Sequence, residues 1–278
     1  MTALKRYWRS FPKETKTMAD YAFERINTVD STNTELKRRI NASFGMKTSV
    51  LIADEQTAGR GRRGRVWLNT DGALLMSICI PLKGINPDLI PLISLAAAIA
   101  ANEAISDLSA DKLKMTRNTG IKWPNDILIS GFKVAGILAE AANDLRGGSY
   151  AVVGIGINVN AAGIPDGLNQ PASSLRLLYN RDFDRISLGL RIADRLTELA
   201  DMLKAGCDKT IIKLYSDNCI TLGRAVEVIR NDGSRYEAEA VEIDSIGRLV
   251  VSHEDGNVET IDSADVSIRW LTEERQEN

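Results

Sequence analysis

Apolar runs set the framework of the chain. Ser49 to Asp54 (SVLIAD) and Ala73 to Leu82 (ALLMSICIPL) are nearly continuous apolar stretches, the pattern of strands buried on both faces. Gly120 to Ile129, Val134 to Ala141 and Tyr150 to Val159 predict three more strands, with Gly131, Gly147 and Gly148 in the turns between them. Connections that short favour antiparallel pairing. Leu89 to Ala101 is the longest apolar stretch, shorter than the ~20 residues of a membrane span and interrupted by Pro91 and Ser94. It predicts a buried helix entered at Pro87 and continuing through Ile105 and Leu108. Between Ser187 and Lys204, Leu188, Ile192, Leu196, Leu199 and Leu203 recur at helical spacing, and a second short helix ends near Tyr215. Thr32-Asn33-Thr34-Glu35 has the form of a capping box, so a helix should run from just after Asp30-Ser31 to Ile40.

After about residue 218 the pattern changes to short alternating runs, RAVEVI, SRYEAEAVEID, RLVVSH and NVETID, separated by Asn231-Asp232-Gly233, Ser245-Ile246-Gly247 and Glu254-Asp255-Gly256-Asn257. Three segments follow: a lead-in over 1–24, a domain of mixed sheet and helices over 25–219, and a small all-β barrel over 220–278. The lead-in is basic but lacks the apolar core of a signal peptide.

Charge and composition remove several classes. With 35 Lys plus Arg against 37 Asp plus Glu, the chain is no general nucleic-acid binder. Cys79, Cys207 and Cys219 are too scattered for a disulfide framework or a zinc knuckle, and His253 is the single histidine. Chemistry therefore falls to Lys, Arg, carboxylates and an oxygen-held metal.

One segment runs against the near-neutral balance. Gly59 to Arg65 holds three glycines and four arginines in seven residues, between two predicted strands and just before Trp67. Crowded guanidiniums repel one another and so call for an anion, and their forks grip carboxylate or phosphate. Gly59, Gly61 and Gly64 would let the backbone approach that ligand. A solvated loop and a Gly-Arg RNA-binding segment are the competing readings. The string G-x-G-x-x-G is present, but it leads into a strand, so it is not a dinucleotide turn, and it is no Walker A loop.

Four further stretches accompany the loop: Asp30-Ser31-Thr32-Asn33, Lys122-Trp123-Pro124-Asn125-Asp126, Lys133-Val134-Ala135-Gly136-Ile137-Leu138 and Gly154-Ile155-Gly156-Ile157-Asn158-Val159. With Gln56 and the arginine loop, in this order and spacing over residues 25 to 270, they closely resemble the biotin protein ligases. The resemblance implies an α+β fold, a mixed or antiparallel sheet with flanking helices like a class II synthetase, followed by an SH3-like barrel. It implies cytoplasmic ATP-dependent, Mg²⁺-assisted activation of biotin to biotinoyl-AMP. The biotinyl group then passes to a lysine of a biotin carboxyl carrier domain of acetyl-CoA carboxylase or a related carboxylase. A lipoate or octanoate ligase is the alternative on the same fold.

Position by position, the resemblance implies that biotin is held by Ser31, Thr32, Asn33, Gln56, Gly59, Arg60, Gly61, Arg62, Lys133, Gly136, Gly154 and Gly156. ATP would be held by Arg62, Arg63, Arg65, Trp67, Lys122, Asn125 and Asn158, and Asp126 would meet the metal ion. Lys133, Arg62 and Arg60 would carry the chemistry, and Trp67 or Trp123 could stack on adenine. Each has a plainer alternative: a helix cap for Ser31 and Thr32, an Asx turn for Asp126, a surface position for Lys133 and core packing for Trp123. Only about 29 residues precede Asp30-Ser31, too few for the DNA-binding domain of some family members, so no DNA or membrane partner is expected; a homodimer is left open. Phe132 stands where a polar or basic residue often precedes the lysine.

Overall fold

The computed structural model describes residues 21–110, 119–165, 167–168, 170–263 and 266–270; most of the expected lead-in lies outside them. A seven-stranded sheet is built from β1 (Ala22–Val29), β2 (Ser49–Gln56), β3 (Leu74–Pro81), β4 (Thr119–Lys122), β5 (Asp126–Ile129), β6 (Phe132–Asn143) and β7 (Ser149–Ile157). Its order is β1-β2-β3-β7-β6-β5-β4, parallel only between β1 and β2.

Both faces of the sheet are covered, which explains the continuous apolar runs. On β2, Val50 and Ile52 join the main core beneath helices α2 (Leu92–Ala110) and α4 (Arg185–Lys204), whereas Leu51 joins a smaller core with Leu36 and Ile40 of helix α1 (Thr32–Asn41). Helices α3 (Leu175–Tyr179) and α5 (Asp208–Ser216) complete this part. Among the described residues no helix is long and apolar enough to cross a membrane.

Several features depart from expectation, and three of them concern the sheet that carries the site. The predicted strand over 120–129 is two strands, broken at Trp123-Pro124-Asn125, because proline lacks the N–H that the ladder needs. β1 went unpredicted: it is an edge strand with most of its residues exposed, so it carries no apolar stripe. The capping box does not form. The Thr32 N–H is taken by Gln56 at the end of β2, and Glu35 pairs with Arg38 and Arg39 instead of reaching back.

The C-terminal part is an antiparallel five-stranded sheet of β8 (Ala225–Arg230), β9 (Arg235–Ile243), β10 (Leu249–Ser252), β11 (Val258–Ile261) and β12 (Val266–Trp270), in the order β11-β10-β9-β8-β12. Gly233, Gly247 and Gly256 all have positive φ at its hairpins. Gly247 packs on Leu92 and Leu95 of α2, and its carbonyl accepts the indole N–H of Trp123 at 3.1 Å. The two sheets are thereby joined beside the Trp123-Pro124-Asn125 turn.

Candidate active site

One pocket draws on nearly every segment singled out in the sequence. Ser31, Thr32, Asn33 and Gln56 line one end; Arg60, Arg62, Lys122, Asp126 and Lys133 line the other, with Gly136, Gly154 and Gly156 on the sheet between them.

The first end is neutral and closed. Ser31, Thr32 and Asn33 are buried at the start of α1, where the backbone N–H groups are unpaired by the helix itself. Gln56 Oε1 accepts both the Thr32 N–H (2.7 Å) and the Thr32 hydroxyl (3.0 Å), which leaves the Gln56 amide NH₂ as the group it can offer a ligand. Ser77 Oγ lies 2.7 Å from Thr32 Oγ1 and 2.6 Å from Asn33 Oδ1. The Asn33 amide donates to Leu138 O (3.2 Å) and to Glu140 Oε2 (2.9 Å). A Cβ on Gly154 would stand 2.5 Å from Asn33 Oδ1, so glycine there serves the placement of Asn33. The Ser31 side chain makes no capping bond.

At the other end, the arginine segment is a tight hairpin, closed by Gly61 N–H to Arg65 O (2.7 Å) and Trp67 N–H to Gly59 O (3.0 Å). Arg63 and Gly64 both take positive φ at its tip. Gly59 is required by the chain itself, since a Cβ there would meet Trp67 O at 2.5 Å, and Gly59 is not among the lining residues. Arg62 turns inward and donates to Asn125 Oδ1 (3.3 Å) and to the Ser263 carbonyl of the C-terminal part. Arg63 bonds the Asn231 side chain of the β8–β9 turn. Arg60 lies 3.5 Å from Glu140.

Lys133 and Asp126 form an ion pair at 2.6 Å, bringing the two predicted stretches into contact. Lys122 donates to Gln170 (3.3 Å). Burial lowers the pKa of both the Arg62 guanidinium and the Lys122 ammonium. Asp126 opposes that in both; Arg63 adds to it for Arg62, and Lys133, Arg269 and Arg65 add to it for Lys122. This end therefore concentrates cations in a half-desolvated space, the environment in which an anion gains most.

The tryptophans separate. Trp67 lies across the glycine floor, where a Cβ on Gly156 would be 2.4 Å, and one on Gly136 3.0 Å, from its ring. Its indole nitrogen is buried without a hydrogen-bond partner. Trp123 borders the pocket but is only 2% exposed; it is bonded to Thr221 and Gly247 and anchors the turn that carries Asn125 and Asp126. Asn158 also sits behind the pocket, bonding Ser173 O and Thr70, and does not line it. Ser77, Glu140, Gln170 and Ile268 went unnoticed in the sequence, because each lies in a run whose local pattern is that of a plain strand or loop. Among the described residues there is no group of three or more His, Cys, Asp or Glu placed to hold a metal ion.

Residues 25–160 match the biotin/lipoate A/B protein ligase family and residues 221–269 match the biotin protein ligase C-terminal domain. The biotin–[acetyl-CoA-carboxylase] ligase of Mycobacterium tuberculosis is 34% identical over 220 residues, covering 79% of each chain. The bifunctional ligase/repressor BirA of Bacillus subtilis is 32% identical over 229 residues, 79% of this chain and 66% of that one. The biotin protein ligase of Aquifex aeolicus, solved with biotin and ATP, superposes with a TM-score of 0.73 at 28% identity, covering 90% of this chain and 99% of that one. The chain belongs to the biotin protein ligase family.

Proposed function

We propose that this chain joins biotin to ATP, forming biotinoyl-5′-AMP and pyrophosphate, and then passes the biotinyl group to a lysine of a carboxylase's biotin carboxyl carrier domain. The observation that carries the reading is the division of one pocket into a neutral hydrogen-bonding end and a cationic end, joined by a glycine floor. Biotin has that same division: a neutral ureido ring at one end and a carboxylate at the other.

In this reading Ser31, Thr32, Asn33 and Gln56 hold the ureido group, the Gln56 NH₂ donating to it, while Gly154 makes room for Asn33 and Gly136 and Gly156 make room for the Trp67 ring that borders the ligand. Trp67 covers that floor and closes over the apolar part of the ligand. The biotin carboxylate attacks the α-phosphorus, pyrophosphate leaves, and the charge that develops falls among Arg60, Arg62 and Lys133. Arg63, Arg65, Lys122 and Asn125 serve the nucleotide phosphates. The carrier's lysine amine then attacks the acyl carbon and AMP departs with the electron pair of the broken bond.

Mg²⁺ fits a site with one carboxylate, since it usually keeps waters and phosphate oxygens and takes only one or two protein carboxylates; Asp126 is the residue that would meet it. When bound it would neutralise phosphate charge. A reaction that uses ATP and a carboxylase carrier domain fits a cytoplasmic protein.

The test is biotin-dependent exchange of labelled pyrophosphate into ATP with Mg²⁺. Exchange supported by biotin and not by lipoate is expected. Exchange with lipoate alone would move the chain to the sister activity, and no exchange with either would refute ligation.

A further inference from the structure

Glu140 lies just outside the pocket and belongs to none of the recognised motifs, yet it touches both ends of the site. It sits on β6, its side chain 16% exposed. Oε2 accepts the Asn33 amide at 2.9 Å; Oε1 takes the Lys37 ammonium at 2.9 Å and faces the Arg60 guanidinium at 3.5 Å. Asn33 and Arg60 line the pocket, whereas Glu140 and Lys37 do not. We infer that Glu140 is a positioning residue that ties Arg60, the first arginine of the loop, to the neutral recognition end, so that the loop is held beside the place where the ligand's head is bound.

The two carboxylate oxygens divide this work. Oε2 holds a buried amide whose other atoms are fixed by Ser77 and by Leu138 O, and that bond needs only an acceptor. Oε1 faces two cations and needs a negative charge. Burial by itself would raise the Glu140 pKa, but the bonds from Asn33 and Lys37 and the nearby Arg60 bring it below the ordinary carboxylate value, so the charge persists at neutral pH. Lys37 is carried by α1 and keeps its place with the helix. Arg60 belongs to the hairpin and its side chain is half exposed, so it is the member that can come and go. Arg62 and Arg63 reach the opposite side, toward Asn125 and the C-terminal sheet. Glu140 is therefore the anchor at one side of the loop.

Glu140→Gln separates the two jobs, because the amide oxygen can still accept from Asn33 while the charge facing Arg60 is gone. Two readouts are needed, since this role rests on the proposed ligation only in part. The first uses no ligand: limited tryptic cutting after Arg62, Arg63 and Arg65, sites that every variant keeps. Cutting should be about threefold to fivefold faster in Glu140→Gln, the scale of a half-exposed ion pair. Arg60→Met, at an exposed position, should do the same, and the double variant should add nothing further. The second follows turnover. Glu140→Gln should keep biotin affinity within about twofold and release free biotinoyl-AMP about threefold to fivefold faster. Unchanged cutting in both single variants would overturn the inference, as would effects that add fully in the double variant, which would make Glu140 merely a buttress of the strand. If Glu140→Gln fails to fold, the Arg60→Met cutting rate alone decides between tether and no tether. A wild-type protein that shows no pyrophosphate exchange would refute the ligase reading and leave the proteolysis result standing.

Discussion

The neutral and cationic ends of the pocket are built on opposite plans. Around Thr32 and Asn33, both buried, the side chains bond Gln56 Oε1, Ser77 and the neighbouring strand, and the Gln56 NH₂ is left to meet a ligand. At the other end, Arg62 borrows the Ser263 carbonyl from the C-terminal sheet and a side-chain oxygen from Asn125, Lys133 leans on Asp126, and Trp67 covers the glycines with an unbonded indole nitrogen. The first end is finished before any ligand arrives; the second is held by substitutes that an anion would replace. Preorganisation at one end supplies recognition, and concentrated charge at the other supplies the response to charge that develops during reaction.

If the ends are separable, breaking one should spare the other. The largest effect is expected from Lys133→Gln, which keeps length and polarity but removes a cation from the proposed reacting centre. Pyrophosphate exchange should fall by a factor of order 10² to 10³, by analogy with loss of one preorganised donor. Arg62→Gly comes next. Losing a charge-assisted hydrogen bond worth about 1.5–3 kcal/mol, it should release free biotinoyl-AMP about tenfold to a hundredfold faster, as followed by chromatography of the turnover mixture.

Gly154→Ala attacks the other end. Its methyl group would stand 2.5 Å from Asn33 Oδ1, so Asn33 must shift. Overpacking of this kind costs about 1–3 kcal/mol, and biotin affinity should fall roughly tenfold while ATP affinity stays nearly unchanged. The smallest effect belongs to Trp123→Phe, which leaves the Gly247 carbonyl without its donor and should lower stability by about 1 kcal/mol in thermal unfolding. An equal loss of biotin affinity there would show that the turn supports the neutral end as well.

The same contrast governs what the sequence revealed. Buried strands such as β2, β3 and β7 were legible because two covered faces leave an unbroken apolar run, and α4 was legible from its heptad-like stripe. β1 was not, since an exposed edge strand has no stripe to show. At the site, the motif residues converge on one pocket, but the local reasons assigned to some of them were different. Gly59 proved to answer to the Trp67 carbonyl, and Thr32 bonds Gln56 in place of a capping box. Glu140 and Ser77 were invisible because their partners lie 107 and 44 residues away in the chain, a distance over which local pattern carries no information.

The separation of the two ends is tested most directly by calorimetric titration of biotin into Lys133→Gln beside the wild type. Biotin affinity set mainly by Ser31, Thr32, Asn33 and Gln56 predicts a change of no more than about tenfold, against a much larger loss of exchange rate. A fall in affinity as large as the fall in rate would show that the ends act as one binding unit and would contradict the account.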